Sequence, residues 1–510
     1  MAPKADELNA HAIRKIVIVG GGTAGWMAAA ALTTLRGKDE VEICLVESDE
    51  IGTVGVGEAT IPPLIAFNKM LGINEDQFIA ATKGTFKLGI EFLNWGALGE
   101  RYFHPFGPHG QDFRGVHFHQ LYMRAAQQRA MPDIQNWSMS AVAANFGRFA
   151  RPSPDARLPL SQLGYAFHFD AGLYALFLRR LAENAGVTRV EGKIVVSTQD
   201  SENGHVRSIA LADGREIEGD LFIDCSGFRG LLIEEKLGTG YDDWSKWLAC
   251  DRAVAAPCSL SGVPDPFTRS TALSAGWQWR IPLQHRMGNG MVYSSAHLDR
   301  DEAEAMLVGN LEGDILAEPR HLSFTAGRRR CAWNKNVVSL GLSSGFVEPL
   351  ESTSIQLIQS GIIKLIALFP DRRFISAERD EYNRQMQTVF EDVRDFVILH
   401  YKATRRNDTE FWNYCRNMDV PDSLATKLEL WRSKGRLFRE GFELFGTASW
   451  VSVLFGQGEI PQETEPAVDA IDQDIANDAL EKMRLSYRQM AEHMPSHAEF
   501  IAQSCTAAGG

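Results

Sequence analysis

A run of four β-branched residues, Ile16 to Val19, leads directly into Gly20-Gly21-Gly22-Thr23-Ala24-Gly25, and the chain continues into the helix-like stretch Trp26 to Leu35. A second apolar run, Val41 to Val46, ends in Glu47. Few folds accommodate this order. A short, uninterrupted β-branched run reads as a buried parallel strand. In the GxGxxG that follows, Gly20 permits a tight turn, Gly22 lets the backbone approach a pyrophosphate, and Gly25 allows helix to pack closely on strand. The N-terminus of the helix that follows then faces the negative charge. Glu47 stands 22 residues beyond Gly25 at a strand end, where a carboxylate accepts ribose hydroxyls. Without its flanking strand and helix, GxGxxG would be a structural glycine turn. In this context it specifies a dinucleotide-binding βαβ unit.

An acidic ribose ligand suits NAD and FAD alike, but two later segments favour FAD. Ile223-Asp224-Cys225-Ser226-Gly227 and Gly341-Leu342-Ser343-Ser344-Gly345 each close an apolar strand. Both resemble the flavin-contacting segments of glutathione-reductase-type monooxygenases. Tyr165-Ala166-Phe167-His168-Phe169-Asp170, followed by Arg179 and Ala185-Gly186-Val187, resembles the helix-and-strand passage of the same superfamily. The expected fold class is α/β: a glutathione-reductase-type FAD-binding fold with an added, mostly helical substrate subdomain. Gly20, Gly22, Thr23, Ala24, Gly25, Glu47, Ala59, Asp224, Gly341 and Leu350 are the expected FAD contacts. Ala59 comes from the Gly-rich loop Val54 to Pro62.

Composition narrows the partners. The 510 residues suffice for two to four domain-sized pieces with a large core. A net charge of −13 is the wrong sign for tracking phosphates, so nucleic acid is not an expected partner. No run of about 18 apolar residues occurs, so no membrane span is expected. Met1 to Lys15 is polar and lacks the apolar core of a signal peptide, which suggests a cytoplasmic location. Seven scattered cysteines without a CxxC pair argue against a disulfide framework or a zinc site, and no metal ligands are expected.

Along the chain, Phe86 to Trp95 has mixed periodicity and reads as either helix or strand. Residues 101–160, rich in His, Phe, Gly and Pro, read as an irregular insert. Stretches 189–198 and 205–211 suggest an antiparallel ribbon, with a turn at Asp213-Gly214. From about 355 the pattern is helical, and Thr506 to Gly510 reads as a frayed tail. The FAD domain is therefore assigned to 10–100 and 161–370. The helical substrate part is assigned to 101–160 and 371–505.

Three segments separate hydroxylase from halogenase. Gly276-Trp277-Gln278-Trp279-Arg280-Ile281-Pro282 places two indoles at the strand period of two. This is the WxWxIP signature, and on it the chain resembles the flavin-dependent tryptophan halogenases, including their indole-type members. Trp277 and Trp279 are then expected to shield the flavin from organic substrate. Two core tryptophans on a strand face are the structural alternative. Phe86-Lys87-Leu88-Gly89-Ile90-Glu91-Phe92-Leu93-Asn94-Trp95 resembles the segment carrying the family's essential lysine, which falls on Lys87. The resemblance implies that reduced FAD, O2 and halide give hypohalous acid, and that Lys87 relays the halogen to an electron-rich aromatic. Lys87 would hold it by hydrogen bonding or as a haloamine. The haloamine route needs a neutral amine, which desolvation favours. The structural alternative is a surface lysine paired with Glu91 on a helix.

The third segment, Phe346-Val347-Glu348-Pro349-Leu350-Glu351-Ser352-Thr353-Ser354, resembles the family's flavin-and-halide strap. Glu351 matches its catalytic carboxylate, which accepts the ring proton or polarises the halogenating species. Glu348 is the less favoured candidate. Thr353 and Ser354 match the halide-binding amides. The family usually has glycine at Ser354, so the amide survives the change while the backbone angles need not. Phe103-His104-Pro105-Phe106-Gly107 matches a segment whose His and Phe line the indole site, which makes His104 and Phe106 the expected substrate contacts.

Phe438 to Gly458 is short compared with the stretch that grips free tryptophan in the tryptophan enzymes. It holds Phe442-Glu443-Leu444-Phe445-Gly446 and Trp450 without paired tyrosines. The expected substrate is therefore an indole or another small electron-rich aromatic. The cofactor is FAD, used as FADH2, with chloride or bromide as co-substrate. A single dinucleotide fingerprint implies a separate flavin reductase, and the resemblance is compatible with a homodimer. An FAD-dependent aromatic hydroxylase and a non-catalytic flavin-binding protein are the competing readings.

Overall fold

The computed structural model describes residues 11–35, 41–50, 58–441 and 443–507. Val54 to Gly57 of the Gly-rich loop, and Phe442, lie outside the described residues. The β-branched run forms the strand Lys15–Val19, which lies inside a six-stranded sheet. It is flanked in parallel by Leu221–Asp224 on one side and Glu42–Glu47 on the other. Val337–Ser339 and Thr188–Glu191 extend the sheet, also in parallel, and Trp333–Asn334 closes one edge antiparallel. The alanine-rich helix Thr23–Leu35 runs beneath it, its small side chains letting it pack closely on the helix Ala171–Asn184.

A second sheet has seven strands, in the order Arg320–Ser323, Arg252–Ala255, Met287–Tyr293, Gly276–Pro282, Thr268–Ala272, Gly89–Leu93 and Arg101–Pro105. A small sheet of Glu58–Ala59, Ala166–Phe169 and Thr85–Lys87 bridges the two. From Ser354 the chain is helical, beginning with Ser354–Ala367 and the long helix Ser376–Lys402. Among the described residues, no helix is long and apolar enough to cross a membrane.

Phe86 to Trp95 is strand, not helix. Phe86, Lys87, Leu88, Gly89, Ile90, Glu91 and Phe92 are all buried, so both faces are covered and no alternation is visible in the sequence. The helical pair of Lys87 with Glu91 does not exist, because Glu91 binds Arg269 at 2.7 Å. Stretch 189–198 divides between two sheets. Thr188–Glu191 joins the parallel sheet, and Ile194–Gln199 pairs with Val206–Leu211. The insert is more regular than its composition suggests. It holds the strand Arg101–Pro105 and the helices Phe118–Gln128 and Met139–Asn145. The hairpin Gly89–Leu93 to Arg101–Pro105 also spans the boundary drawn at residue 100. Thr506 and Ala507 are not frayed, since the Ala507 N–H donates to Gln284 Oε1 at 2.8 Å.

Candidate active site

The glycine turn is built as its spacing demands. Gly20 has φ +105°, and a Cβ there would lie 2.4 Å from the Cys225 carbonyl oxygen. A Cβ on Gly25 would lie 1.9 Å from the Gly20 oxygen. Gly341, at φ +67°, packs against the Ala24 methyl, where a Cβ would approach to 2.9 Å. Three chain-distant segments thus converge at the carboxyl ends of the parallel strands, around the start of the helix that opens at Thr23. The Gly22 carbonyl accepts from the Trp26 N–H and the Gly20 N–H donates to the Val46 carbonyl, so the N–H groups of Thr23 to Gly25 stand ahead of the helix's own ladder. Glu47 lies against Gly21, and Arg189 holds its Oε1 at 2.5 Å. These features fit a dinucleotide.

Asp224 departs from expectation. Its carboxylate accepts from the Ser226 N–H, the Ser226 hydroxyl and the Leu232 and Ile233 N–H groups, at 2.6–3.0 Å. It shapes the loop behind Gly20 and is not presented to a ligand. Ala59 pairs with His168 in the bridging sheet, and Leu350 is buried in the turn Pro349–Glu351.

Trp277 and Trp279 are buried on one face of the strand Gly276–Pro282, with ring centroids 5.9 Å apart. Trp279 lies over Gly290 of the neighbouring strand, where any Cβ would collide with the ring. Among the described residues the Trp279 indole N–H has no hydrogen-bond partner, and the Trp277 indole lies beside the Glu348 carboxyl. Trp95 continues the aromatic wall, 6.5 Å from Trp277 and 6.0 Å from His400.

Lys87 ends the strand Thr85–Lys87 and is fully buried. Its Nζ donates to Ser352 Oγ at 2.7 Å and lies 5.2 Å from the Phe106 ring centre. Burial lowers its pKa to about 7, with Glu351 partly opposing. Pro349 opens the turn that presents Glu351, also fully buried. The Glu351 oxygens lie 2.9 and 3.0 Å from His104 Nδ1, and Oε1 lies 2.8 Å from His400 Nε2. Burial pushes the Glu351 carboxyl up, but His104 and His400 outweigh it and hold it at about 2.

Glu348 is the opposite case. Neither of its oxygens has an aligned partner, and burial raises it to about 7 beside Tyr401, Trp277 and Cys250. Only Glu351 is therefore anionic at neutral pH with an unambiguous charge. Ser352 adopts the left-handed conformation, φ +60°, and turns the chain into the helix Ser354–Ala367. Thr353 and Ser354 stand at that N-terminus, and the buried Thr353 hydroxyl has no partner among the described residues. Ser354 has helical angles, so a side chain is accommodated where the family carries glycine.

The Phe106 ring lies beneath the Lys87 amine. His104 does not offer a free ring, because its Nδ1 is taken by Glu351. Its ring meets Phe396 and Phe445, which stack on each other at 3.8 Å. Outside Phe445 and Trp450 lies a cavity of about 600 Å³, lined also by Asp392, Asp422, Glu440, Glu443 and Lys427. Sequence reading missed Ser352, Phe396 and His400. A single histidine or phenylalanine on a helix carries no signal of its own.

Comparison with known proteins agrees with this geometry. The tryptophan halogenase family model matches residues 15–473. The tryptophan 7-halogenase RebH of Lentzea aerocolonigenes is 34% identical, over 96% of this chain and 98% of that protein. The 7-chloro-L-tryptophan 6-halogenase KtzR of a Kutzneria species is also 34% identical, over 96% and 99%. Among solved structures, Xcc4156, a flavin-dependent halogenase from Xanthomonas campestris, is 47% identical with a TM-score of 0.94, covering 98% of this chain and 100% of that one. BrvH, a flavin-dependent halogenase from Brevundimonas sp. BAL3, is 48% identical with a TM-score of 0.93, over 97% and 99%. With likeness of this extent from end to end, the chain belongs to the tryptophan halogenase family and is a flavin-dependent aromatic halogenase.

Proposed function

We propose that this enzyme halogenates an indole or a comparably electron-rich small aromatic, with Lys87 as relay and Glu351 as proton acceptor. The observation that carries the reading is the buried Lys87 amine, near neutrality at about 7, beside a carboxylate held anionic by two histidines. The glycine turn, Glu47 and the Gly341 segment would hold FAD, and Trp277 and Trp279 would screen it. When bound, reduced FAD together with oxygen supplies the oxidising power that turns halide into hypohalous acid. Thr353 and Ser354 hold the halide, with the partnerless Thr353 hydroxyl supporting that assignment. The neutral Lys87 amine exchanges one N–H hydrogen for the halogen, and that hydrogen leaves with the hydroxyl as water. As the nitrogen–halogen bond breaks toward the ring carbon, the nitrogen regains a proton from solvent. The ring proton passes to Glu351. FADH2 comes from a separate reductase.

The cavity argues for a substrate other than free tryptophan. Its lysine, Lys427, is bound to Glu443 at 2.6 Å, and its arginine, Arg436, lies 3.4 Å from Glu465. A substrate carboxylate would meet Asp392, Asp422 and Glu440 without a free cation. The test is mass spectrometry of reactions containing FAD, a flavin reductase and NADH, with indole or tryptophan, and with chloride, bromide or no halide. Halogenated product only with halide is expected. Oxygenated product without halide would replace this reading with a hydroxylase.

A further inference from the structure

His400 lies in the last turn of the helix Ser376–Lys402 and is fully buried. Phe92, Trp95 and Phe396 wall its ring, with centroids at 5.0, 6.0 and 5.2 Å. Its Nδ1 is 2.8 Å from the Phe396 carbonyl oxygen. A carbonyl oxygen only accepts, so Nδ1 carries a proton. In the neutral ring, Nε2 is then a bare lone pair. Nε2 lies 2.8 Å from Glu351 Oε1, in a contact not aligned as a hydrogen bond. A lone pair that close to a buried carboxylate oxygen is repulsive, so one more proton resides on this pair. His104 does not supply it, because its Nδ1 proton is already directed at the two Glu351 oxygens from another strand.

We propose that His400 holds that proton as a lasting imidazolium, the counter-ion that matches Glu351 and thereby leaves Lys87 a neutral amine. His400 is a positioning residue, acting on Lys87 through Glu351, and this role rests on the relay function proposed for Lys87. A buried carboxylate without a cation draws a proton onto the nearest base. The groups that face this cluster are Glu351, His104, Lys87 and Tyr102, with Tyr401 and Glu348 on the far side. Tyr102 and Tyr401 are pushed far up by burial and stay neutral. Glu348 is raised to about 7 by burial and adds no cation. Without His400, Lys87 becomes the partner of Glu351 and loses its free amine to protonation.

Two measurements on the full chain test this. The first is the ring 15N spectrum of histidine-labelled protein without ligands, at about pH 8, well above the ordinary histidine range. One imidazole protonated on both nitrogens is expected, absent in H400Q and neutral in E351Q. The second is the pH profile of halogenation in H400Q and H400F. The acid limb is expected to move up by about one unit while KM for the aromatic is unchanged. A purely packing role predicts no displacement in H400F, whose ring fills similar space. A wild-type His400 with a bare ring nitrogen, or an unmoved profile in either folded variant, overturns the proposal. Absence of halogenated product from the wild type would instead count against the relay function, since the 15N spectrum does not depend on turnover.

Discussion

Lys87 is the proposed relay, and its buried amine makes a signed prediction. If the neutral amine carries the halogen, product formation rises with pH through about 7, the value set by burial. A rate that falls over that range would mean that the ammonium form holds hypohalous acid by hydrogen bonding instead. The same burial costs stability. Between about 7 and the ordinary 10.5, the unfolded chain holds a proton that the folded chain has lost, so stability rises with pH across that window. The penalty is therefore greatest below about 7. K87M is expected to abolish halogenation yet raise stability at low pH by about 1–3 kcal/mol. Melting curves at acid and alkaline pH check both parts, and the gain should shrink at the alkaline end. Lys87 and Glu351 could be singled out because short segments around them resemble the family's, and the structure buries both. His400 was not, because its significance lies in a contact 49 residues away in sequence, at Glu351.

At the level of the element, the βαβ unit was readable because glycine spacing and strand composition act locally. The strand holding Lys87 was ambiguous for a physical reason: a strand covered on both faces loses the alternation that identifies it. The Asp224 segment shows another limit. Its place at a strand end was clear, but whether a carboxylate faces a ligand or its own loop depends on where Leu232 and Ile233 return. The glycine turn gives a sharp test. In G20A the added Cβ meets backbone, the Cys225 carbonyl, at an impossible distance, and the positive φ adds strain. Loss of FAD binding and a drop of about 2–4 kcal/mol in unfolding free energy are expected. Calorimetry and flavin titration measure the two separately. Retained FAD affinity would show that the turn does not contact the cofactor.

Across the whole molecule, the site is assembled from residues near 20, 87, 104, 277, 351 and 400, so no single portion of the chain contains it. The outer cavity is the proposed place for the rest of the substrate. With Asp422 and Glu440 at its lining, an aromatic bearing an alkyl ammonium should be converted at least about tenfold more efficiently than the corresponding amino acid. Competition between tryptamine and tryptophan in one vessel measures this directly, and a preference for tryptophan would overturn the reading of the cavity. The wall of Trp95, Trp277 and Trp279 has a consequence of a different kind. Indoles are what this enzyme is proposed to halogenate, and with the flavin screened by Trp277 and Trp279 as proposed, its reagent would form beside three of its own. When fuel and halide are supplied without an acceptor, the catalyst becomes its own target. Peptide mapping should then find halogen on these side chains, and working lifetime should lengthen as acceptor concentration rises.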